Sequence, residues 1–214
     1  MKVISINVGN PEDFNYDGVE VRTAIYKNSI GRAEVELTSE VLEGDDQADK
    51  VHHGGPDKAI CVYPHEHYSH WNSILDQTLP LGAFGENFTT EGLLETEVYL
   101  GDIFSFGEAV LQVTQPRQPC HKLAKRYNYK SLPLDVMETG YTGFYMRVLK
   151  PGKLKVDLPF TRIEMHPKRV SIAECNRILF HDKYDRKGIE NILAVDEIAQ
   201  SLRLSLEKRV NEKE

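Results

Sequence analysis

The stretch GDIFSFGEAVLQVTQPRQPCHKL, residues Gly101–Leu123, contains the most informative pattern in the chain. Apolar and polar residues alternate on both sides of Gly107–Glu108, which predicts a β-hairpin that turns at these two residues. Two prolines, Pro116 and Pro119, then precede Cys120, and apolar residues follow it at a helical spacing. We therefore expect two paired strands, a loop that the prolines stiffen, and a helix that begins near Cys120.

The chain up to about residue 165 repeats this pattern of short strands separated by Gly, Pro and Asp. The predicted strands are Lys2–Val8, Val21–Lys27, Glu34–Leu37, Ala59–Tyr63, Ile103–Phe106, Ala109–Thr114, Phe144–Leu149 and Phe160–Glu164. Many short strands joined by Gly/Pro turns are typical of a sandwich or barrel. A helix that begins at Pro64 and the helix after Cys120 interrupt them, so the predicted fold is mainly β with peripheral helices.

The hydrophobic period becomes helical near residue 170. A capping box over Ser171–Glu174 opens a helix that we expect to reach His181, and a short helix around Ile189 and a third over Asp196–Val210 follow. We thus divide the chain into a β domain, residues 1–165, and a three-helix module, residues 166–214. The module could be a helix-turn-helix, but its acidic and basic residues are nearly balanced, which favours docking or a homodimer over DNA binding.

Composition limits the class of protein. Of the 214 residues, 40% are hydrophobic and 28% are charged, as in a globular protein with a sizeable core. The sequence has no apolar run long enough to span a membrane, and the first ten residues lack the apolar region of a signal peptide, so we expect a cytoplasmic protein. A net charge of −7 does not suit general nucleic-acid binding.

The three cysteines occur in different settings, and their number argues against a disulfide framework. Cys61 and Cys175 lie in apolar patterns, so both are expected in the core. Cys120 instead lies in a window, Thr114–Lys130, that holds five Lys or Arg and no Asp or Glu. Neighbouring cations favour a thiolate, and a local basic patch suits a small anionic ligand. A solvated basic helix face is the alternative interpretation.

Two glycine-rich motifs are further candidates for ligand binding. In DKVHHGGPDKAICVY, residues 49–63, Gly54 and Gly55 allow a tight turn whose N–H groups can bind an anion. In LGAFGENFTTEGL, residues 81–93, short polar side chains such as Asn87 follow glycines and can hydrogen-bond a polar ring or a phosphate. Either motif could equally be a structural turn.

Taken in order, these motifs together with GYTGFYMRVLKPG, residues 140–152, resemble the MOSC family, the fold of molybdenum-cofactor sulfurase C-terminal domains. The helical tail resembles the three-helix extension of its YiiM-type branch. The resemblance spans residues 1–210 approximately. It implies a β-barrel-like domain that binds the pterin molybdenum cofactor, and pyridoxal phosphate is not expected.

The resemblance also implies roles for individual residues. Cys120 matches the family cysteine, which either ligates molybdenum or carries sulfur. The cofactor-binding residues expected from the family turn, the GEN loop and the basic run are His53, Gly54, Gly55, Asp57, Lys58, Asn87, Arg117, Lys122 and Arg126. Among these, the basic residues after β-strand 109–114 would neutralise the cofactor phosphate, and His53 and Asn87 would contact the pterin or the substrate.

Members of this branch detoxify N-hydroxylated bases such as 6-N-hydroxylaminopurine by reducing N–OH to N–H, which implies an oxidoreductase with a small-molecule substrate. The chain lacks cysteines at iron–sulfur spacing, so electrons are expected from a separate flavoprotein or ferredoxin-like protein. Two alternatives stay open: a sulfur carrier with a Cys120 persulfide, and a module that binds or delivers the cofactor without chemistry. A cysteine hydrolase using His53, or a zinc enzyme using the histidines of HEHYSH, is less consistent with the spacing.

Overall fold

The computed structural model describes residues 1–16, 19–47 and 54–211. The strands in these ranges are β1 (Lys2–Val8), β2 (Glu12–Tyr16), β3 (Val19–Thr23), β4 (Asn28–Ser29), β5 (Val35–Leu37), β6 (Ile60–Pro64), β7 (Phe88–Glu91), β8 (Ile103–Phe106), β9 (Ala109–Pro116), β10 (Phe144–Lys150), β11 (Gly152–Leu154) and β12 (Phe160–Glu164). The α-helices are α1 (Tyr68–Leu75), α2 (His121–Tyr127), α3 (Leu132–Thr139), α4 (Ile172–Asn176), α5 (Arg186–Leu193) and α6 (Gln200–Asn211).

Eight strands form one curled, mixed sheet in the order β12-β8-β9-β10-β6-β7-β1-β4. The pairing of β6 with β7 is parallel, and the other pairs are antiparallel. The predicted hairpin is confirmed, because Phe106 pairs with Ala109 across the turn at Gly107 and Glu108. The predicted barrel-like β fold with peripheral helices is therefore confirmed, in the form of a half-barrel with two open edges.

The sequence misplaced or missed several short elements. The predicted strand Val21–Lys27 is wrong in extent: β3 ends at Thr23 after pairing with β2, and the chain continues without regular structure to β4. The strands β2, β4, β7 and β11 and the helix α3 were not predicted. The strand β7 (FTTE) is polar, yet Thr89 and Thr90 are buried because the strand lies between β6 and β1 in the sheet.

The C-terminal helices begin as predicted and then depart from the prediction. The hydroxyl of Ser171 accepts a hydrogen bond from the Glu174 N–H at 3.0 Å, which confirms the cap. The helix α4 passes into a π-helical turn over Arg177–His181. The last helix begins at Gln200 rather than Asp196, because the residues before it dock on the sheet: the N–H of Ala199 donates to the carbonyl of Thr114 at 3.0 Å.

One continuous apolar cluster joins the sheet to the C-terminal helices. It extends from Leu111 and Val113 of β9 through Cys175 of α4 to Leu202 and Leu206 of α6, all of them buried. A second, aromatic cluster packs α1, α2 and α3 against the other end of the sheet, and the ring of Tyr63 stacks on that of Phe84 with centroids 4.3 Å apart. Cys61 and Cys175 are buried, as predicted.

Among the helices that the structure describes, none is long and apolar enough to cross a membrane.

Candidate functional site

A pocket opens at the end of β9, between the loop that carries Cys120 and the loop before β7. It is the place where the basic run, the GEN loop and the first glycine motif meet. The residues that line it are Thr23, Ala24, Ile25, Lys27, Asp45, Asp46, Gln47, Lys58, Cys61, Phe84, Gly85, Asn87, Arg117, Cys120, Lys122 and Tyr145. Five of the residues predicted as site residues are thus brought together: Lys58, Asn87, Arg117, Cys120 and Lys122.

Arg117 follows β9 directly, and only 6% of its surface is exposed. Its backbone N–H donates to the carbonyl of Gly143 at 3.0 Å, and its Nη2 donates to the carbonyl of Phe84 at 2.7 Å. Its Nη1 is buried and has no hydrogen-bond partner within residues 1–16, 19–47 and 54–211. A buried guanidinium N–H without an acceptor is costly, so this position favours an anion in the pocket.

Cys120 is partly exposed and lies at the N-cap of α2, with an extended backbone conformation (φ −119°, ψ 160°). Its carbonyl accepts a hydrogen bond from the N–H of Leu123, in the first turn of the helix, at 3.1 Å. The helix therefore begins at the cysteine, as predicted. The cysteine lines the pocket at the start of α2, two residues before Lys122, which lines the pocket as well.

The GEN loop is held in shape by its own buried side chains. The carboxylate of Glu86 accepts hydrogen bonds from the N–H groups of Gly82 and Phe84 at 3.0 and 2.9 Å and from the hydroxyl of Tyr68 at 2.5 Å. Its Oε1 also accepts from the hydroxyl of Thr89 at 2.8 Å. The loop can therefore present a fixed wall to the pocket.

Asn87 lines the pocket while it joins three segments of the chain. Its Oδ1 accepts from the N–H of Cys61 at 3.0 Å, and its Nδ2 donates to Oδ2 of Asp45 at 2.8 Å. Asp45 also forms a buried ion pair with Lys27. Since Asp45 offsets the charge of Lys27, the other charged residues of the lining are Lys58, Arg117 and Lys122 with one carboxylate, Asp46, so the described lining is net basic.

The pocket contains a second sulfur, but the two cysteines differ. Cys61 is 5% exposed, and burial raises the pKa of its thiol to about 11. Burial likewise raises the pKa of Tyr145. Both groups are therefore neutral near pH 7, and Cys120 is the more accessible thiol of the pocket.

The structure places other predicted site residues outside the pocket lining. Nη1 of Arg126 donates to the carbonyl of Ile25 at 2.5 Å, so this side chain braces the segment that forms the pocket rim. Asp57 forms an ion pair with Arg147 at 2.7 Å and accepts a hydrogen bond from the N–H of Gln200 at 2.9 Å.

The remaining predicted residues belong to the HHGGPDK motif. Gly54 and Gly55 precede a 3₁₀ turn over Pro56–Lys58, and Gly55 has a φ of +91°, which only glycine adopts readily. Neither glycine belongs to the pocket lining among the described residues. His53, together with His52, lies outside the described residues. The cofactor roles of all these residues stay predictions.

Sequence reasoning missed Lys27 and Asp45, which lie before and after β5 in the chain, and Tyr145 on β10. Lys27 and Asp45 form a buried ion pair between segments 18 positions apart, and no local pattern announces such a pair. The position of Tyr145 could have been predicted from the sequence. It lies between the buried core residues Phe144 and Met146, so its side chain points to the opposite face of β10.

Comparison with known proteins identifies relatives over nearly the whole chain. The family model of the MOSC domain matches residues 49–161, and that of the YiiM-like 3-alpha helix domain matches residues 170–212. The protein YflK of Bacillus subtilis (strain 168) is 46% identical over 207 residues, which cover 97% of this chain and 93% of YflK. A protein named reductase from Gibberella moniliformis is 32% identical over 166 residues, which cover 76% of this chain and 29% of the fungal protein.

The solved structures agree with this assignment. The crystal structure of YiiM from Geobacillus stearothermophilus superposes with a TM-score of 0.83 at 36% identity, and the match covers 97% of this chain and 98% of that one.

Proposed function

The chain belongs to the MOSC family and carries its YiiM-like helical extension, and on this premise we propose that it is a molybdenum-cofactor-dependent reductase of N-hydroxylated bases. The family is associated with the pterin molybdenum cofactor, and a relative of this chain is named a reductase. Residues 1–165 would form the cofactor-binding domain, and residues 166–214 would form the helical module that supports it.

The observation that carries the proposal is the unpartnered, buried Nη1 of Arg117 in a pocket that also presents Lys58, Lys122 and Cys120. The cofactor bears a phosphate, whose oxygens would accept the free N–H and would meet the lysine charges. The molybdenum of the cofactor takes soft sulfur ligands, and the thiol of Cys120 at the pocket surface would supply such a sulfur atom. The residues present therefore fit the group.

When bound, the cofactor supplies a molybdenum centre that exchanges two electrons and one oxygen atom with a substrate. The overall reaction balances as R–NH–OH plus two electrons and two protons to give R–NH₂ and water. Cys120 would hold the metal, and Arg117 with Lys122 would hold the phosphate. The wall formed by Phe84, Gly85 and Asn87, which the buried carboxylate of Glu86 holds in shape, would keep the cofactor oriented, and the open mouth of the pocket would admit the substrate.

The electrons would come from a separate protein. The three cysteines of the chain lie far apart in sequence, and Cys61 and Cys175 are buried, so they offer no iron–sulfur ligand set. The matched region of the fungal reductase is 29% of that protein, so most of the fungal protein has no counterpart in this alignment. We therefore propose a flavoprotein or ferredoxin-like donor.

The test is to measure bound molybdenum and turnover on protein made in a host that synthesises the cofactor. Activity is followed as conversion of 6-N-hydroxylaminopurine to its amine, with a reduced viologen dye as the electron source. We expect the Cys120→Ser protein to lose at least tenfold in molybdenum content and all measurable turnover. Lys122→Ala should weaken retention several-fold, whereas the matched variant Lys125→Ala, on the same helix but outside the pocket lining, should not change it.

Three outcomes would contradict the proposal. Full molybdenum content and turnover in Cys120→Ser would show that the cysteine neither holds the metal nor takes part in the reaction. An added sulfur on Cys120 in a protein without molybdenum, seen by mass spectrometry, would identify a sulfur carrier. Transfer of the cofactor to an apo-enzyme without any turnover would identify a delivery module.

A further inference from the structure

A second cleft lies between the half-barrel and the C-terminal helices. Its walls are the 3₁₀ turn His65–His67, the loop before β8, the end of α3 and the π-helical turn Arg177–His181. It shares no lining residue with the pocket around Cys120 in the parts of the chain that the structure describes. The cleft is therefore a separate feature with its own chemistry.

The cleft contains a buried acceptor that lacks a donor. Asn176 is 2% exposed, and its Nδ2 donates to the carbonyl of Gly140 at 3.1 Å and to the hydroxyl of Thr142 at 2.9 Å. A carbonyl can only accept, so the amide orientation is determined, and Oδ1 is the atom left over. This Oδ1 is buried without a hydrogen-bond partner among the described residues. An N–H donor in the cleft would relieve that cost.

The charges of the cleft favour a cation. Glu66, Glu95 and Glu138 line it. Glu95 is buried and already accepts from the N–H of Gly143 at 2.8 Å, so a ligand would contact the two exposed carboxylates, Glu66 and Glu138. The cation of the lining, Arg177, is already occupied: its guanidinium contacts the carboxylates of Glu174, Asp182 and Asp185 at 2.8, 2.9 and 2.6 Å. The field inside the cleft is therefore negative, in contrast to the basic pocket around Cys120.

The cleft also has a flat aromatic wall. The rings of His67 and Tyr141 stack with centroids 3.9 Å apart and an interplanar angle of 8°. The pair is held in place by Glu95, whose Oε2 lies 2.8 Å from Nε2 of His67. Planar cations pack well against such aromatic faces.

A metal ion is a poorer candidate for this cleft. Within residues 1–16, 19–47 and 54–211, no group of three or more His, Cys, Asp or Glu side chains is placed to bind a metal. An organic cation with several N–H groups can instead contact the carboxylates, the aromatic wall and Oδ1 of Asn176 together.

We propose that this cleft is a second ligand site, which binds a small planar organic cation of the amidinium or guanidinium class. The site does not depend on the reductase proposal, because none of its residues belongs to the Cys120 pocket.

The test is calorimetric titration of the full-length chain with benzamidine, and with benzamide as its uncharged counterpart. We expect saturable binding of one benzamidine per chain and no comparable binding of benzamide. Glu138→Gln, an exposed side chain of the cleft, should weaken binding about threefold. The matched variant Glu164→Gln, on β12 and outside the cleft, should bind as the unmodified chain does.

Asn176→Leu, which removes the free acceptor and keeps the branched shape of the side chain, should weaken binding about tenfold. Because this variant also loses two structural hydrogen bonds, its fold is checked by circular dichroism. If it does not fold, NMR shift changes on the unmodified chain replace it, and they should fall on residues 66–67, 94–96, 138–141 and 173–181. Equal binding of benzamide, shift changes elsewhere, or an unchanged affinity in Glu138→Gln would overturn the proposal.

Discussion

Replacing Asp57 by Ala should weaken the attachment of the last helix to the β domain. The side chain of Asp57 accepts a hydrogen bond from the N–H of Gln200, the first residue of α6, at 2.9 Å, and forms an ion pair with Arg147 at 2.7 Å. It therefore caps a helix that lies 143 positions away in sequence. The residue's other contact does not involve the side chain: its backbone carbonyl accepts a hydrogen bond from the hydroxyl of Thr114, and this bond is available in any variant.

The size of the effect follows from these contacts. Loss of a helix cap costs about 1 kcal/mol, and loss of a carboxylate at the positive end of a helix costs about 0.5 kcal/mol more. The pair with Arg147 is about one-quarter exposed and contributes roughly 0.5–1 kcal/mol. Asp57→Ala should thus lower the free energy of unfolding by about 2 kcal/mol. Asp57→Asn keeps an oxygen for the Gln200 N–H and should lose only about 1 kcal/mol.

The assay is equilibrium denaturation in urea, followed by far-ultraviolet circular dichroism. Asp157→Ala, an exposed aspartate on the turn after β11, is the matched control and should change stability by less than 0.5 kcal/mol. The single variants Asp57→Ala and Arg147→Ala, measured together with the double variant, give the coupling energy of the ion pair. If Asp57→Ala is as stable as the control, or if Asp57→Asn costs as much as Asp57→Ala, the capping role is refuted.

Two further predictions concern the walls of the Cys120 pocket. Gly143 has a φ of +67°, and a Cβ there would lie 2.3 Å from the carbonyl oxygen of Val62, so Gly143→Ala should lower the free energy of unfolding by at least about 3 kcal/mol. Because the carbonyl of Gly143 accepts a hydrogen bond from the N–H of Arg117, the same variant should weaken cofactor retention. Gly31→Ala, with a φ of +64° and open space around the Cβ, should cost only about 1–2 kcal/mol in the same urea assay, and an equal cost for both would contradict the clash. Iodoacetamide should label Cys120 alone in the native chain at pH 7.5, as read by mass spectrometry, with no label in Cys120→Ser. Because burial raises the pKa of Cys61 to about 11, its thiolate fraction and labelling should rise about tenfold per pH unit towards pH 11; labelling of Cys61 at pH 7.5 would contradict this.

The elements that the sequence predicted well are those with strong local signals. The hairpin of β8 and β9 has alternation and a glycine turn, and the start of α2 has two prolines and a helical repeat. The strand β7 escaped prediction because Thr89 and Thr90 are polar; they are buried by neighbours in the sheet, and sheet order is not visible in a local pattern.

The same limit applies to the candidate site. The sequence indicated that Arg117, Lys122 and Cys120 lie together because they are close along the chain. It could not indicate that Arg126 turns away to brace a carbonyl, or that Asp57 reaches a helix at the other end of the chain. Both are charged residues in plausible motifs, and only the tertiary structure shows which partners they already have.

The apolar cluster that runs from β9 to α6 also constrains how the protein is made. The sheet strands emerge from the ribosome first, but the side chains that cover them, down to Leu206, emerge last. Until the C-terminal helices are made, the apolar sheet residues that they cover stay exposed, and contacts between distant parts of the sequence form slowly. The nascent chain therefore passes through an interval in which it is exposed to aggregation and to chaperones, and this interval ends only when α6 docks.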